Sequence, residues 1–73
     1  MAVQVIFRLP WRAEELSVPM PAPDACVADI LDQIMDEQSK DNTLKVLNGR
    51  VCFGDDPVAD GDCLQILPVI LGG

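Results

Sequence analysis

The sequence predicts an α+β fold, in which a mixed sheet of four to five strands packs on one main helix. Two observations predict this class: strand-like segments lie on both sides of a single amphipathic helical segment, and tight-turn residues divide these segments into hairpins. With 73 residues and 49% hydrophobic content, the chain fits one domain. We assign residues 1–69 to this domain and residues 70–73 to a flexible C-terminal tail.

The first hairpin begins with a strand in which every second residue is apolar: Val3, Val5, Phe7 and Leu9. Residues 10–12 interrupt this alternation. Residues 16–18 then predict a short returning strand, which ends at the proline-rich segment 19–23.

The clearest helix has an apolar stripe at the spacing i, i+3, i+4, i+7 and i+8: Val27, Ile30, Leu31, Ile34 and Met35. Polar residues occupy its opposite face: Asp29, Asp32, Gln33, Asp36 and Glu37. Either Asp24 or Cys26 is the N-cap, because Asp is the better capping residue but the apolar pattern begins only at Val27.

The second half of the chain predicts three more strands. Residues 44–47 and 51–53 form a hairpin around Asn48-Gly49, two residues that tolerate positive φ in a tight turn. A turn at residues 60–62 precedes the last strand, residues 63–69, in which Pro68 marks the end or an exposed edge. Two hairpins around one helix place the first and last strands adjacent and parallel in the middle of the sheet, which is the β-grasp arrangement.

Charge restricts the partners of the chain. The formal net charge is −7 and the pI is near 4.1, so we expect neither nucleic acid nor a membrane surface as a partner. A partner with a basic face is the natural complement, and the alternative is that the acidity only serves solubility. Residues 1–10 carry no targeting pattern and no apolar run approaches the roughly 20 residues of a membrane span, so we expect a cytoplasmic protein.

The composition also argues against an enzyme. The chain has no histidine, which excludes a Ser-His or Cys-His nucleophile, and we assign no catalytic residue. A domain of this size buries only about 60% of its unfolded surface, which leaves little room for a substrate pocket. Three cysteines without C-x-x-C spacing fit neither a disulfide framework nor a metal site. We expect reduced thiols, with Cys52 and Cys63 in the core and Cys26 at the start of the helix.

The tail is the most informative segment for function. Leu71-Gly72-Gly73 follows an apolar strand-like run. Because glycine has no Cβ, Gly72 and Gly73 can pass through a channel too narrow for any side chain. Fully extended, residues 70–73 reach roughly 13 Å past the domain, enough to carry a terminal carboxylate into the active site of another protein.

Four segments follow one another over most of the chain: the helix start 25–31, the Asn48-Gly49 turn, the Asp-Gly-Asp turn 60–62 and the tail 68–73, which reads Pro-Val-Ile-Leu-Gly-Gly. In order and spacing they resemble the bacterial sulfur-carrier family. These are ubiquitin-like proteins that include the thiamine-biosynthesis carrier and the small subunit of molybdopterin synthase. Cys26 stands where the family has threonine, and the hairpin around Trp11 matches neither protein closely.

The resemblance implies a ubiquitin-like β-grasp fold and a role in group transfer. It implies that a separate, ATP-dependent adenylating enzyme activates the carboxylate of Gly73, which is then converted to a thiocarboxylate and used as a sulfur donor in cofactor biosynthesis. The chain itself would bind no cofactor, since ATP is used by the partner. A sulfur-accepting synthase or large subunit would be the second partner.

The resemblance also assigns roles to residues near the tail. Gly72 keeps the tail narrow beside the reacting carbonyl. We expect Val69, Ile70 and Leu71 to bind the partner, although Val69 would alternatively complete the core. Arg50 and Trp11 are further candidates for the docking face, with a solvated or locally packed side chain as the alternative for both.

Alternatives remain at two levels. Pro68-Val69 resembles the molybdopterin subunit and Val69-Ile70 the thiamine carrier, so the sequence leaves the pathway open. The same tail would serve a protein modifier that is joined to lysine through Gly73. A β-grasp subunit that interacts without covalent chemistry, in which the diglycine has no role, is the third possibility.

Overall fold

The computed structural model describes residues 1–36 and 42–69, which form one five-stranded sheet and one short helix. In chain order the elements are β1 (Ala2–Leu9), β2 (Arg12–Pro19), α1 (Val27–Leu31), β3 (Thr43–Leu47), β4 (Arg50–Cys52) and β5 (Cys63–Pro68). The strand order is β2-β1-β5-β3-β4, with β1 and β5 parallel and the other neighbours antiparallel. The predicted mixed sheet, and the central pairing of its first and last strands, are confirmed.

The returning strand of the first hairpin is longer than the sequence predicts. The loop contains only Pro10 and Trp11, and β2 pairs with β1 from Arg12 to Pro19. The prediction of a strand over residues 16–18 was too short because β2 is an edge strand. Residues 13–15 are exposed there, so they have no apolar alternation.

The helix is shorter than predicted, and "one main helix" is corrected to a single helix of five residues within the described part of the chain. After Leu31 the backbone tightens, because the N–H of Gln33 donates to Ile30 O (3.3 Å) and that of Ile34 to Leu31 O (3.0 Å). Ile34 and Met35 still pack against the core, as the apolar stripe requires. Glu37, the last residue assigned to the polar face, lies outside the described residues.

The start of the helix is held by backbone and side-chain bonds. Cys26 is the N-cap, which decides between the two predicted caps. The carboxylate of Asp29 accepts hydrogen bonds from the Cys26 backbone N–H (3.0 Å) and thiol (3.3 Å), and these bonds lower the pKa of Asp29. The N–H groups of Val27 and Ala28 donate to carbonyls of the segment before β5, at 2.9 and 2.8 Å.

The core lies between α1 and one face of the sheet. Its largest fully buried side chains come from β1, β5 and α1: Phe7, Ile30, Leu31, Leu64 and Ile66. Cys52 belongs to this core, as predicted. Cys63 does not: it is half-buried and pairs with exposed Gln4, so it lies on the outer face of the sheet and the core assignment was wrong.

Hydrogen bonds of Asn48 connect the Asn48-Gly49 turn to the turn at residues 60–62. Asn48 and Gly49 have φ of +51° and +86°, as the hairpin requires. The side chain of Asn48 accepts a hydrogen bond from the N–H of Cys63 (2.9 Å) and donates one to Asp62 (3.0 Å). The β3–β4 turn is therefore attached to the turn that precedes β5.

Candidate functional site

The last described residue, Val69, directly follows a central strand of the sheet. β5 lies between β1 and β3 and ends at Pro68, and Val69 follows with 43% of its surface exposed. Val69 is therefore not a core residue, so the core alternative for it is wrong. Four predicted site residues lie outside the described residues: Ile70, Leu71, Gly72 and Gly73. Bond geometry limits the four to roughly 13 Å beyond Val69, so a partner that holds Gly73 must approach this end of the sheet.

Three elements meet at this end, which we call the tail end of the sheet. Because β1 and β5 run parallel, β1 also finishes at this end, where the two-residue turn Pro10–Trp11 connects it to β2. β3 starts at the same end, since Thr43 pairs with Pro68. Trp11 is 67% exposed. The tail end therefore carries exposed apolar side chains on two neighbouring elements.

The sheet face opposite α1, which we call the outer face, also carries apolar side chains. Leu44 of β3 pairs with Leu67 of β5, and Val46 pairs with Val51 of β4. Leu44 is 37% and Val51 is 60% exposed, and Phe53, directly after β4, is 71% exposed. No described element packs over these residues, whereas α1 covers the other face. Neighbouring exposed apolar residues on one sheet face make this face a candidate contact surface.

The predicted site residues are not all brought together. Arg50 pairs with Leu47, which in turn pairs with Leu64 near the start of β5. Since β5 ends at Pro68, Arg50 lies roughly 13 Å along the strand from the tail end and two strands away. Its neighbourhood is an open depression of about 390 Å³ that includes Val51 and Asp56. The structure thus separates Arg50 from Val69, and a role for Arg50 in partner binding remains a prediction.

The three cysteines, Cys26, Cys52 and Cys63, are free thiols and form no disulfide. Burial raises the pKa of Cys52, and the negative charge of Asp56 adds to this effect, so the thiol stays protonated and unreactive. Within residues 1–36 and 42–69, no three His, Cys, Asp or Glu side chains converge as a metal site, and no helix is long and apolar enough to cross a membrane.

Sequence reasoning did not identify the outer-face residues Leu44, Val51 and Phe53 as a possible contact surface. They fall in or beside predicted strands, where an apolar residue is normally buried. Only the strand register shows which of them point away from α1. The available signal was in β3, where the apolar residues Leu44 and Val46 share one face while Thr43 and Lys45 share the other.

Several solved structures share this fold. A Pyrococcus furiosus protein described as molybdopterin converting factor subunit 1 has a TM-score of 0.77 and 22% identity, over 96% of this chain and 99% of that one. SAMP1 from Haloferax volcanii has a TM-score of 0.77 and 19% identity over the full length of both chains. The complex of subunits 1 and 2 of the molybdopterin-converting factor from Helicobacter pylori has a matching chain with a TM-score of 0.67 and 28% identity, also over both full lengths.

No protein-family model and no curated protein sequence matches the chain. The structural neighbours nevertheless confirm the resemblance to ubiquitin-like sulfur carriers, and they show that the chain has the ubiquitin-like β-grasp fold.

Proposed function

We propose that this β-grasp protein is a ubiquitin-like sulfur carrier, whose C-terminal Gly73 is adenylated by a separate enzyme and then carries sulfur as a thiocarboxylate. One observation carries the proposal. The central strand β5 stops at an end of the sheet that exposes apolar side chains, and the sequence continues from there through Val69 and Ile70 to Leu-Gly-Gly, in a fold shared with molybdopterin converting factor subunits.

The position of β5 suits a carrier. A reactive group must be presented away from the body that bears it, yet at a fixed distance from a docking surface. β5 is paired with β1 up to Ile66 and with β3 up to Pro68, so Val69 directly follows a residue that the sheet holds in place. The four residues beyond it give Gly73 a reach of roughly 13 Å. In the proposal residues 1–69 are the docking body and residues 70–73 the reactive tail.

The chemistry needs no catalytic group on this chain. The carboxylate of Gly73 attacks the α-phosphorus of ATP in the partner's active site, which forms an acyl adenylate and releases pyrophosphate. Hydrosulfide, supplied by a sulfur donor, then attacks the carbonyl carbon, and the C–O bond to AMP breaks. The product is a thiocarboxylate, in which sulfur has replaced one oxygen. Gly72 keeps the approach to this carbonyl free of a Cβ.

The described part of the chain supplies the docking surface. Val69 at the tail end and Leu44 on the outer face are exposed apolar residues that a partner can bury. Exposed carboxylates surround the domain, which has a net charge of −7, so a partner with basic groups around an apolar patch is favoured. We expect the activating enzyme and the sulfur acceptor to use this surface in turn.

A molybdopterin-type acceptor is favoured over a thiamine-type one. Two of the structural neighbours are described as molybdopterin converting factor subunits, and one of those is in a complex of subunits 1 and 2. By analogy, the tail of this chain would enter a large subunit that accepts the sulfur. The thiamine-type pathway predicts a transient acceptor and a thiazole product instead.

The proposal is tested by the intact mass of the protein after incubation with ATP, a sulfide source and a candidate activating enzyme. We expect the mass gain that corresponds to one sulfur replacing one oxygen, located at Gly73 by fragmentation. A variant that lacks Gly73 is the matched control. It should show no gain, and its midpoint of thermal unfolding should equal that of the full chain, because the last strand already ends at Pro68.

The possible outcomes separate the alternatives. Adenylation without a sulfur gain, together with an adduct on lysine of another protein, would favour a protein modifier. If no activating enzyme adenylates the chain and the Gly73 deletion keeps its cellular function, the diglycine has no role and a non-covalent interaction subunit is correct.

A further inference from the structure

Trp11 has an unusual environment for a tryptophan. It is the only tryptophan in the chain and is 67% exposed, whereas tryptophan side chains in folded domains are on average highly buried. Neither the fold nor the sulfur chemistry requires it. A large aromatic side chain in this position adds apolar surface that the domain itself does not bury, and tryptophan is enriched among the residues that dominate binding energy.

The turn that carries Trp11 is held in place on both sides. Pro10 fixes its own φ, and the residues on either side of the turn, Leu9 and Arg12, are paired with each other. The guanidinium of Arg12 lies 3.8 Å from the centre of the Phe7 ring and donates a hydrogen bond to Ile34 O at 2.9 Å. Arg12 also pairs with the carboxylate of Glu14. The guanidinium of Arg12, the residue after Trp11, therefore has three partners, and these contacts fix the turn that carries Trp11.

Trp11 and Val69, the last described residue before the tail, lie at the same end of the sheet. The β1–β5 pairing ends at Phe7 with Ile66, so Leu9 and Pro68 each lie two residues beyond the last pair. The turn at Pro10–Trp11 thus lies one to two strand spacings from Val69, about 5–10 Å between backbones. This distance is smaller than the roughly 13 Å that residues 70–73 can span. A protein that holds Gly73 in its active site therefore has Trp11 within reach of its own surface.

We propose that Trp11 is an anchor residue for the adenylating enzyme that receives the tail. The inference rests on the proposed function and names a binding residue for it. An apolar pocket in that enzyme, with basic groups at its rim, takes the indole while the tail enters the active site. The basic rim follows from the net charge of −7 of the chain. Because the turn is already fixed, little ordering entropy opposes the contact.

Steady-state kinetics of adenylation test the role of Trp11. With the activating enzyme that adenylates the wild-type chain, we expect Trp11→Ala to raise the KM for the chain roughly 10- to 30-fold, the loss typical of an interface anchor. The kcat should change less than about twofold, because removal of a contact made equally in the ground and transition states affects KM alone. Trp11→Phe should recover most of the affinity.

A control variant separates docking from folding. Pro21 is also exposed and apolar, but it lies at the opposite end of the sheet, beyond Met20, whose N–H binds Met1 O. Pro21→Ala should leave the KM unchanged. The unfolding midpoints of all variants are measured alongside, and that of Trp11→Ala should stay close to wild type because most of the surface of Trp11 is exposed.

Binding of the activating enzyme at Trp11 can be observed directly, because the chain has a single tryptophan. The chain is labelled with 5-fluorotryptophan, which gives one ¹⁹F resonance, and is titrated with the unlabelled activating enzyme without ATP. We expect this resonance to shift or broaden on binding, also in the variant without Gly73. An unchanged resonance, or an unchanged KM of Trp11→Ala, overturns the inference while adenylation of the wild type stands. A chain that dimerises through Trp11, and is monomeric as Trp11→Ala, also overturns it, since the occupant is then a second copy. Failure of the wild type to be adenylated at all is a failure of the proposed function instead.

Discussion

Replacement of Asn48 is the sharpest test of how the second hairpin is held. Truncation to glycine removes two hydrogen bonds, one accepted from the N–H of Cys63 and one donated to the carboxylate of Asp62. These contribute about 1 and about 1.5 kcal/mol, the latter at the low end for a charged partner because the site is exposed. Asn48→Gly should thus lower the free energy of unfolding by about 2.5 kcal/mol.

Alanine at the same position adds backbone strain. Asn48 has a φ of +51°, which glycine adopts freely and asparagine tolerates, but which costs a residue with a plain Cβ about 1 kcal/mol. We expect Asn48→Ala to cost about 3.5 kcal/mol in total. For a domain of this size, the glycine variant should unfold roughly 10–20 °C below wild type and the alanine variant several degrees lower still.

The measurement is urea unfolding followed by far-UV circular dichroism, with Asp62→Ala and the double variant completing a thermodynamic cycle. The coupling energy between Asn48 and Asp62 should be about 1–1.5 kcal/mol. If Asn48→Gly costs less than about 0.5 kcal/mol, the two hydrogen bonds do not stabilise the fold. If alanine and glycine cost the same, the strain argument is incorrect.

Two further predictions concern titratable groups. Cys52, whose pKa is raised by burial, should resist iodoacetamide far longer than half-exposed Cys26 and Cys63, and equal rates in the folded protein would contradict its burial. Because the unfolded chain loses the Cys52 proton first, the free energy of unfolding should fall as pH rises above the ordinary thiol pKa, and Cys52→Ala should reduce that slope. Asp29, whose pKa is lowered by its bonds from Cys26, stabilises the helix start above the ordinary carboxyl pKa. Asp29→Asn should therefore lower the unfolding midpoint at neutral pH, and the difference should vanish once acid protonates Asp29 in the wild type; a pH-independent difference would refute this.

The features predicted correctly from the sequence are those decided by local chemistry. The alternation in β1 places Val3, Val5 and Phe7 on one face, and only the Asn-Gly pair fits the positive φ angles of the second hairpin turn. Connection rules then limit the topology, because two hairpins around one helix leave few ways to close a sheet.

The errors come from tertiary context. The charged segment of β2 is a strand because β1 offers it a hydrogen-bonding edge, which Glu14 and Glu15 do not reveal. Regular α-helix ends at Leu31, although Ile34 and Met35 continue the apolar stripe, because a tighter turn places the same side chains on the core. Tertiary context also decides the geometry of the candidate site. Exposure of Val69 depends on where β5 stops, and the separation from Arg50 depends on strand register, so neither follows from spacing along the chain.

The central position of β5 also has a mechanical consequence. A partner that draws the tail into a narrow channel pulls on Val69 along the axis of this strand. β5 is paired with β1 at four register positions and with β3 at five, so the pull loads both ladders in shear. The hydrogen bonds then share the load, whereas an edge hairpin pulled across its strands would open one bond at a time. A partner can therefore hold the domain by its tail, and later release it, without unfolding the domain.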